Sequence, residues 1–161
     1  MHDYTKDVPQ NYSIDDIPDI FRNRLFPFQR DAVKFAISCF GRFILGDEMG
    51  VGKTIQSLAI CCVYKDDWPI LIICPSSLRY NWREEILKWM PWIRMNDIHV
   101  ITMGRENVRN HCKIYIMSYE LSVKLADQFL ERGIGICIVD EAHYLKSWNS
   151  QRSLILVPIL S

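Results

Sequence analysis

The sequence predicts an α/β fold, a parallel sheet with helices on both faces. Three observations carry this: short, wholly apolar runs of strand length, helical segments alternating with them, and a glycine-bearing turn joining the first run to a helix. At 161 residues the chain is long enough for one domain and too short for two lobes of ordinary size.

Residues 1–20 are polar, interrupted by Pro9 and Pro18, and hold one lysine against five aspartates, a net of −4. They predict an acidic, weakly packed lead-in, with the folded unit occupying residues 21–161. Over 27–40, Phe28, Ala32, Val33, Phe35, Ala36 and Ile37 recur at helical spacing, ending near Gly41. Residues 43–45 form a short apolar strand, 46–52 the glycine-bearing turn, and 53–64 an unbroken, mostly apolar helix. The alternation repeats with a strand at 70–74 stopped by Pro75 and an amphipathic helix at 78–90 ended by Pro91. Strands at 99–102 and 113–118 follow, parted by a polar stretch around Gly104. A helix at 120–132 and a nearly continuous apolar strand at 134–139 complete the series.

Composition sets the class. The chain is 49% hydrophobic, 24% charged and 12% aromatic, which supports a sizeable core and excludes wholesale disorder. Basic and acidic residues balance at 19 each, so there is no overall basic field. With the lead-in at −4, however, the remainder carries +4, concentrated in residues 21–40 and 79–113 at +3 each. No apolar run is long enough to span a bilayer. The six cysteines, at 39, 61, 62, 74, 112 and 137, contain no C-x-x-C pair and sit mostly in apolar stretches, so they read as reduced core residues. Trp82 and Trp89, seven residues apart on one helical face and followed by Trp92, read as buried core before a base-stacking platform.

Two segments carry chemistry. In Asp47-Glu48-Met49-Gly50-Val51-Gly52-Lys53-Thr54, between an apolar strand and a helix, Gly50 and Gly52 let backbone N–H groups turn inward around a phosphate. Lys53 supplies a point charge to the β and γ phosphates and the Thr54 hydroxyl can ligate magnesium, with the helix N-terminus favouring negative charge. The pattern departs from G-x-x-x-x-G-K-[ST] at its first position, where Asp47 stands and the nearest glycine is Gly46. After the last strand, Asp140-Glu141-Ala142-His143 projects two carboxylates from the C-terminal edge of a parallel sheet, the edge where ligands bind and where the phosphate loop also opens. Asp140 would hold Mg²⁺, and Glu141 would orient and deprotonate the water attacking the γ-phosphate. Alone, an Asp-Glu pair there would equally serve as a helix cap.

Together these segments resemble the first RecA-like lobe of a superfamily-two helicase of the Swi/Snf class. Leu25-Phe26-Pro27-Phe28-Gln29 resembles the adenine-reading Q motif, which makes Gln29 the base reader. Ile73-Cys74-Pro75-Ser76-Ser77-Leu78 resembles motif Ia, and Met117-Ser118-Tyr119-Glu120 the next DNA-tracking motif. The resemblance thus implies DNA contacts at Pro75, Ser76, Ser77, Ser118 and Tyr119, although each segment alone also reads as an ordinary helix start. The stretch from Pro75 to Trp82, preceded by Trp68-Pro69, is most similar to the annealing-helicase branch, that of the HepA-related protein. Val51 stands where the family usually has leucine and Ala142 where the branch more often has serine; both changes leave the chemistry intact.

What the resemblance implies is an ATP- and Mg-dependent, DNA-stimulated ATPase that translocates on duplex or forked DNA in the nucleus, in repair and fork remodelling. It also implies a second RecA-like lobe with an arginine finger, absent from this chain, and a first lobe interrupted before its last strands. The strand expected next would insert between the phosphate-loop strand and the Asp-Glu strand, so the chain alone is expected to be poorly stable. A non-catalytic ATP-binding or interaction fragment and a nucleosome-remodelling ATPase of the same superfamily are the alternatives.

Overall fold

The computed structural model describes residues 12–38 and 52–140. The expected strand at 43–45 lies outside them. The chain divides into two compact units, one up to Lys65 and one from Asp66.

In the first unit, part of the acidic lead-in is structured. Ser13 caps a 3-10 turn at Ile14–Asp16 reciprocally: its hydroxyl accepts from the Asp15 N–H and its own N–H bonds Asp16 at 2.8 Å. The turn packs on the helices that follow, and Ile17 and Phe21 are buried. A short helix α1 (Asp19–Arg22) leads to α2 (Pro27–Ser38), where Pro27 opens the helix with its fixed φ. Against α2 packs α3 (Lys53–Val63), whose Leu58, Ala59, Cys61 and Val63 are buried.

The second unit holds a wholly parallel sheet of β1 (Ile70–Ile73), β2 (Ile98–Val100), β3 (Ile114–Met117) and β4 (Ile136–Val139), in the order β2-β3-β1-β4. Every residue of β1 and β3 is buried, as expected of uniformly apolar strands covered on both faces. Leu71, Ile73, Tyr115 and Met117 share one face with Leu121, Leu125 and Phe129. The alternate positions, Ile70, Ile72, Ile114 and Ile116, belong to the opposite face, and α4 (Arg79–Trp89) runs along β2 and β3. Register aligns Ile73 with both Met117 and Val139, so Cys74, Ser118 and Asp140 stand level at the C-terminal edge.

Three expected elements differ. The helix expected at 120–132 is two helices, α5 (Tyr119–Lys124) and α6 (Ala126–Arg132), parted at Leu125. Positions four apart rotate by about 40° per step on a straight helix, so Leu121, Leu125 and Phe129 keep to one face, and all three lie in one cluster across the break. The helix expected at 78–90 begins with a 3-10 turn at Ser76–Leu78. β2 ends at Val100: the Ile101 N–H still bonds the Ile116 carbonyl of β3 at 2.9 Å, but beyond it Glu106 accepts the N–H groups of Thr102 and Met103, both at 2.7 Å, and the Thr102 hydroxyl at 3.0 Å.

Glu106 also meets buried His99 at 3.2 Å. His99 Nδ1 accepts the Arg109 N–H, so Nε2 carries the proton and donates to the carboxylate. Burial lowers the imidazole's proton affinity despite that bond. Burial alone would raise the Glu106 carboxyl, but its donors outweigh this and hold it at about 2.

Two glycines precede β4 for different reasons. Gly133 has φ +72° with open space around it, whereas a Cβ on Gly135 would lie 1.6 Å from the Asp67 carbonyl oxygen. Burial pushes the Cys62, Cys74 and Cys137 thiols up to about 12, consistent with packing residues.

Candidate nucleotide and metal site

In the first unit, α3 begins where the sequence predicts a phosphate-binding turn. Gly52 is its N-cap at φ 76°, ψ 40°, a left-handed conformation that side chains resist. Lys53 and Thr54 occupy the first turn and are half-buried, where a helix's N–H groups have no partner within the helix itself. Asp47, Glu48, Met49, Gly50 and Val51 lie outside the described residues.

Gln29 approaches this turn from α2. It is buried, its Oε1 accepts the Phe26 N–H at 2.9 Å, and its Nε2 would lie 2.5 Å from a Cβ on Gly52. The glycine is required by its φ, and a Cβ there would also have to displace the Gln29 amide. That contact brings the expected base reader and the phosphate turn together within one unit.

In the second unit, the C-terminal edge collects the other candidates. Asp140 is fixed at three points. Its N–H bonds the Ile73 carbonyl at 2.8 Å, its carbonyl accepts the Tyr119 hydroxyl, and its Oδ2 accepts the Trp82 indole N–H at 2.9 Å. Among the described residues no lysine or arginine forms an ion pair with it. Carboxylate oxygens of this kind are among the ligands that suit Mg²⁺. Glu141 lies outside the described residues.

The DNA candidates on this edge separate into two kinds. Ser76 and Ser77 are exposed and Pro75 is half-buried, so this segment offers a surface. Ser118 and Tyr119 are buried and act inward: the Ser118 hydroxyl caps α5 through the Leu121 N–H, and the Tyr119 hydroxyl holds Asp140. Arg79 is likewise engaged, bonding the Ser76 carbonyl at 3.1 Å and the Ile101 carbonyl at 2.8 Å. The tryptophans divide as well. Trp82 is buried, Trp89 is half-buried with its indole on Glu85, and Trp92 is exposed. Sequence reading expected Trp82 in the core but missed its bond to Asp140, because no local pattern links residues 58 apart.

The family model for the SNF2-related domain matches residues 28–160. The chain is 44% identical over 153 residues to the DNA annealing helicase and endonuclease ZRANB3 of Homo sapiens, covering 91% of this chain and 14% of that protein. It is 40% identical over 138 residues to the SWI/SNF-related matrix-associated actin-dependent regulator of chromatin subfamily A-like protein 1 of Xenopus tropicalis, covering 86% and 14%. Among solved structures, the Sulfolobus solfataricus SWI2/SNF2 ATPase core in complex with dsDNA aligns with a TM-score of 0.70 at 26% identity, over 83% of this chain and 29% of that one. The chain thus spans 14% of the length of these two curated relatives. With the family model matching across both units, and with the parallel sheet shared with the SWI2/SNF2 core, the chain belongs to the SNF2-related domain family.

Proposed function

We propose that the chain is the nucleotide-binding portion of a DNA-dependent ATPase of annealing-helicase type, acting with ATP and Mg²⁺ on duplex or forked DNA in the nucleus. The observation that carries this is the turn into α3: a left-handed Gly52 with the Gln29 amide against it, followed directly by Lys53 and Thr54 at the start of an 11-residue helix. The phosphates would lie against the N–H groups of residues 50–54, and Lys53 would meet the β and γ oxygens. Gln29, packed on Gly52, would couple recognition of the base to the conformation of that turn. Thr54 and Asp140 are the residues that would hold Mg²⁺, which when bound supplies positive charge to the phosphate oxygens. Glu141 would take the proton of the attacking water.

DNA would meet the edge formed by Pro75, Ser76 and Ser77, with Ser118 and Tyr119 supporting that edge from beneath. The names of the relatives, and the duplex held by the Sulfolobus core, support this reading. The test is titration of the chain with a fluorescent ATP analogue and Mg²⁺. Lys53→Ala should weaken binding by at least tenfold, on the order of one lost charge-assisted contact; unchanged affinity would remove the assignment. In the longest transcript-encoded protein, duplex DNA should stimulate ATP hydrolysis, and its failure to do so would leave a nucleotide-binding module without turnover.

A further inference from the structure

We infer that Trp82 is a positioning residue for Asp140, an indole that orients the carboxylate for a divalent cation without neutralising it. The inference rests on the reading of Asp140 as a magnesium ligand.

The chemistry of the donor makes the case. An indole N–H can only donate, and Trp82 is 3% exposed, so its single polar atom depends on the 2.9 Å bond to Asp140 Oδ2. A lysine or arginine in its place would fix the carboxylate too, but would cancel the charge that draws a cation and compete for the same lone pairs. The neutral indole occupies Oδ2 and leaves Oδ1 and the net charge available.

The backbone beneath the carboxylate is held by the Ile73 carbonyl and the Tyr119 hydroxyl, so side-chain rotation is the freedom left for Trp82 to remove. The indole is carried on α4, which starts directly after Ser76–Leu78. The orientation of the carboxylate is therefore set from the segment that faces DNA in the proposed reading. Partners that orient a metal-binding group in this way commonly change metal affinity by ten- to a hundredfold.

The test uses Mn²⁺ as a paramagnetic substitute for Mg²⁺, its binding to the 161-residue chain with ATP followed by electron paramagnetic resonance. Trp82→Phe should weaken Mn²⁺ by roughly tenfold and leave ATP affinity in EDTA unchanged. Should the phenylalanine variant fold poorly, replacing Trp82 with its sulfur isostere benzothienylalanine keeps the shape, removes only the N–H, and should give the same split. Unchanged or tighter Mn²⁺ binding by the isostere overturns the inference, as does an equal loss of metal-free ATP affinity. Asp140→Asn separates the two levels. If it leaves Mn²⁺ affinity intact, the ligand reading fails and takes the inference with it. If it weakens Mn²⁺ while the isostere does not, the positioning role alone fails.

Discussion

β2 and β4 each pair with a single strand among the described residues, β2 with β3 and β4 with β1. Ile98 and His99 of β2 are nevertheless buried, whereas all four residues of β4 are half-buried. The chemistry of the strands does not explain this, since β4 is the more uniformly apolar. The cover does. After β2 the chain folds back, and Glu106 gathers Thr102, Met103 and His99 while the Arg109 N–H closes on the imidazole. Among the described residues, β2 is thus covered by polar side chains over His99 and by α4 running along it.

The sharpest way to break this comparison is a matched pair of truncations. Ile98→Ala should cost about 3 kcal/mol, a fully buried side chain leaving a cavity, and Ile138→Ala about half that, because part of its surface already meets solvent. Urea unfolding of the two variants measures the difference, and equal losses would show that β4 is covered as well as β2.

A smaller effect probes the cover itself. The Glu106 carboxyl is depressed from 4.5 to about 2 on folding, so as pH falls the unfolded chain takes up the proton first. Its contribution is fully present above about pH 4.5 and is lost as pH drops towards 2, amounting to about 2 kcal/mol after allowance for partial exposure. Buried His99, also lowered, acts with the same sign from about pH 6.5 downward. Unfolding midpoints compared across this range should fall steeply for the parent chain and less for Glu106→Gln; parallel profiles would exclude Glu106 as the source.

The smallest effect lies at the entry to β4. Gly133→Ala should cost about 1–2 kcal/mol, the backbone term alone, since no atom lies near the added methyl. A thermal shift much larger than this would mean that the approach to β4 is more tightly packed than its neighbours suggest.

Strand positions were legible because wholly apolar runs between turn signals have few other uses, and the α3 boundary because a glycine before Lys-Thr fixes a helix start. What escaped was long-range or polar. No residue in 120–132 signals the break at Leu125. The Glu106 cluster is formed by residues that read as an ordinary polar loop. Ser118 and Tyr119 lie in a segment that resembles a DNA-tracking motif, yet their buried hydroxyls hold a helix and the Asp140 backbone. At the candidate site, sequence reading selected Gln29, Gly52 and Asp140, but the indole on Asp140 and the amide on Gly52 arise only when the helices are in place.

The engagement of Arg79 bears on how a duplex would be held. The salt dependence of DNA binding counts cations that displace counterions from phosphates, about 0.9 per contact. Arg79 commits two of its five N–H donors, one on Nε and one on Nη1, to the Ser76 and Ile101 carbonyls, so the guanidinium is held in place without being used up. In the proposed reading a phosphate would meet a cation already fixed in position, and the contact would cost less side-chain freedom than one made by a mobile lysine. It would still add its step to the salt slope.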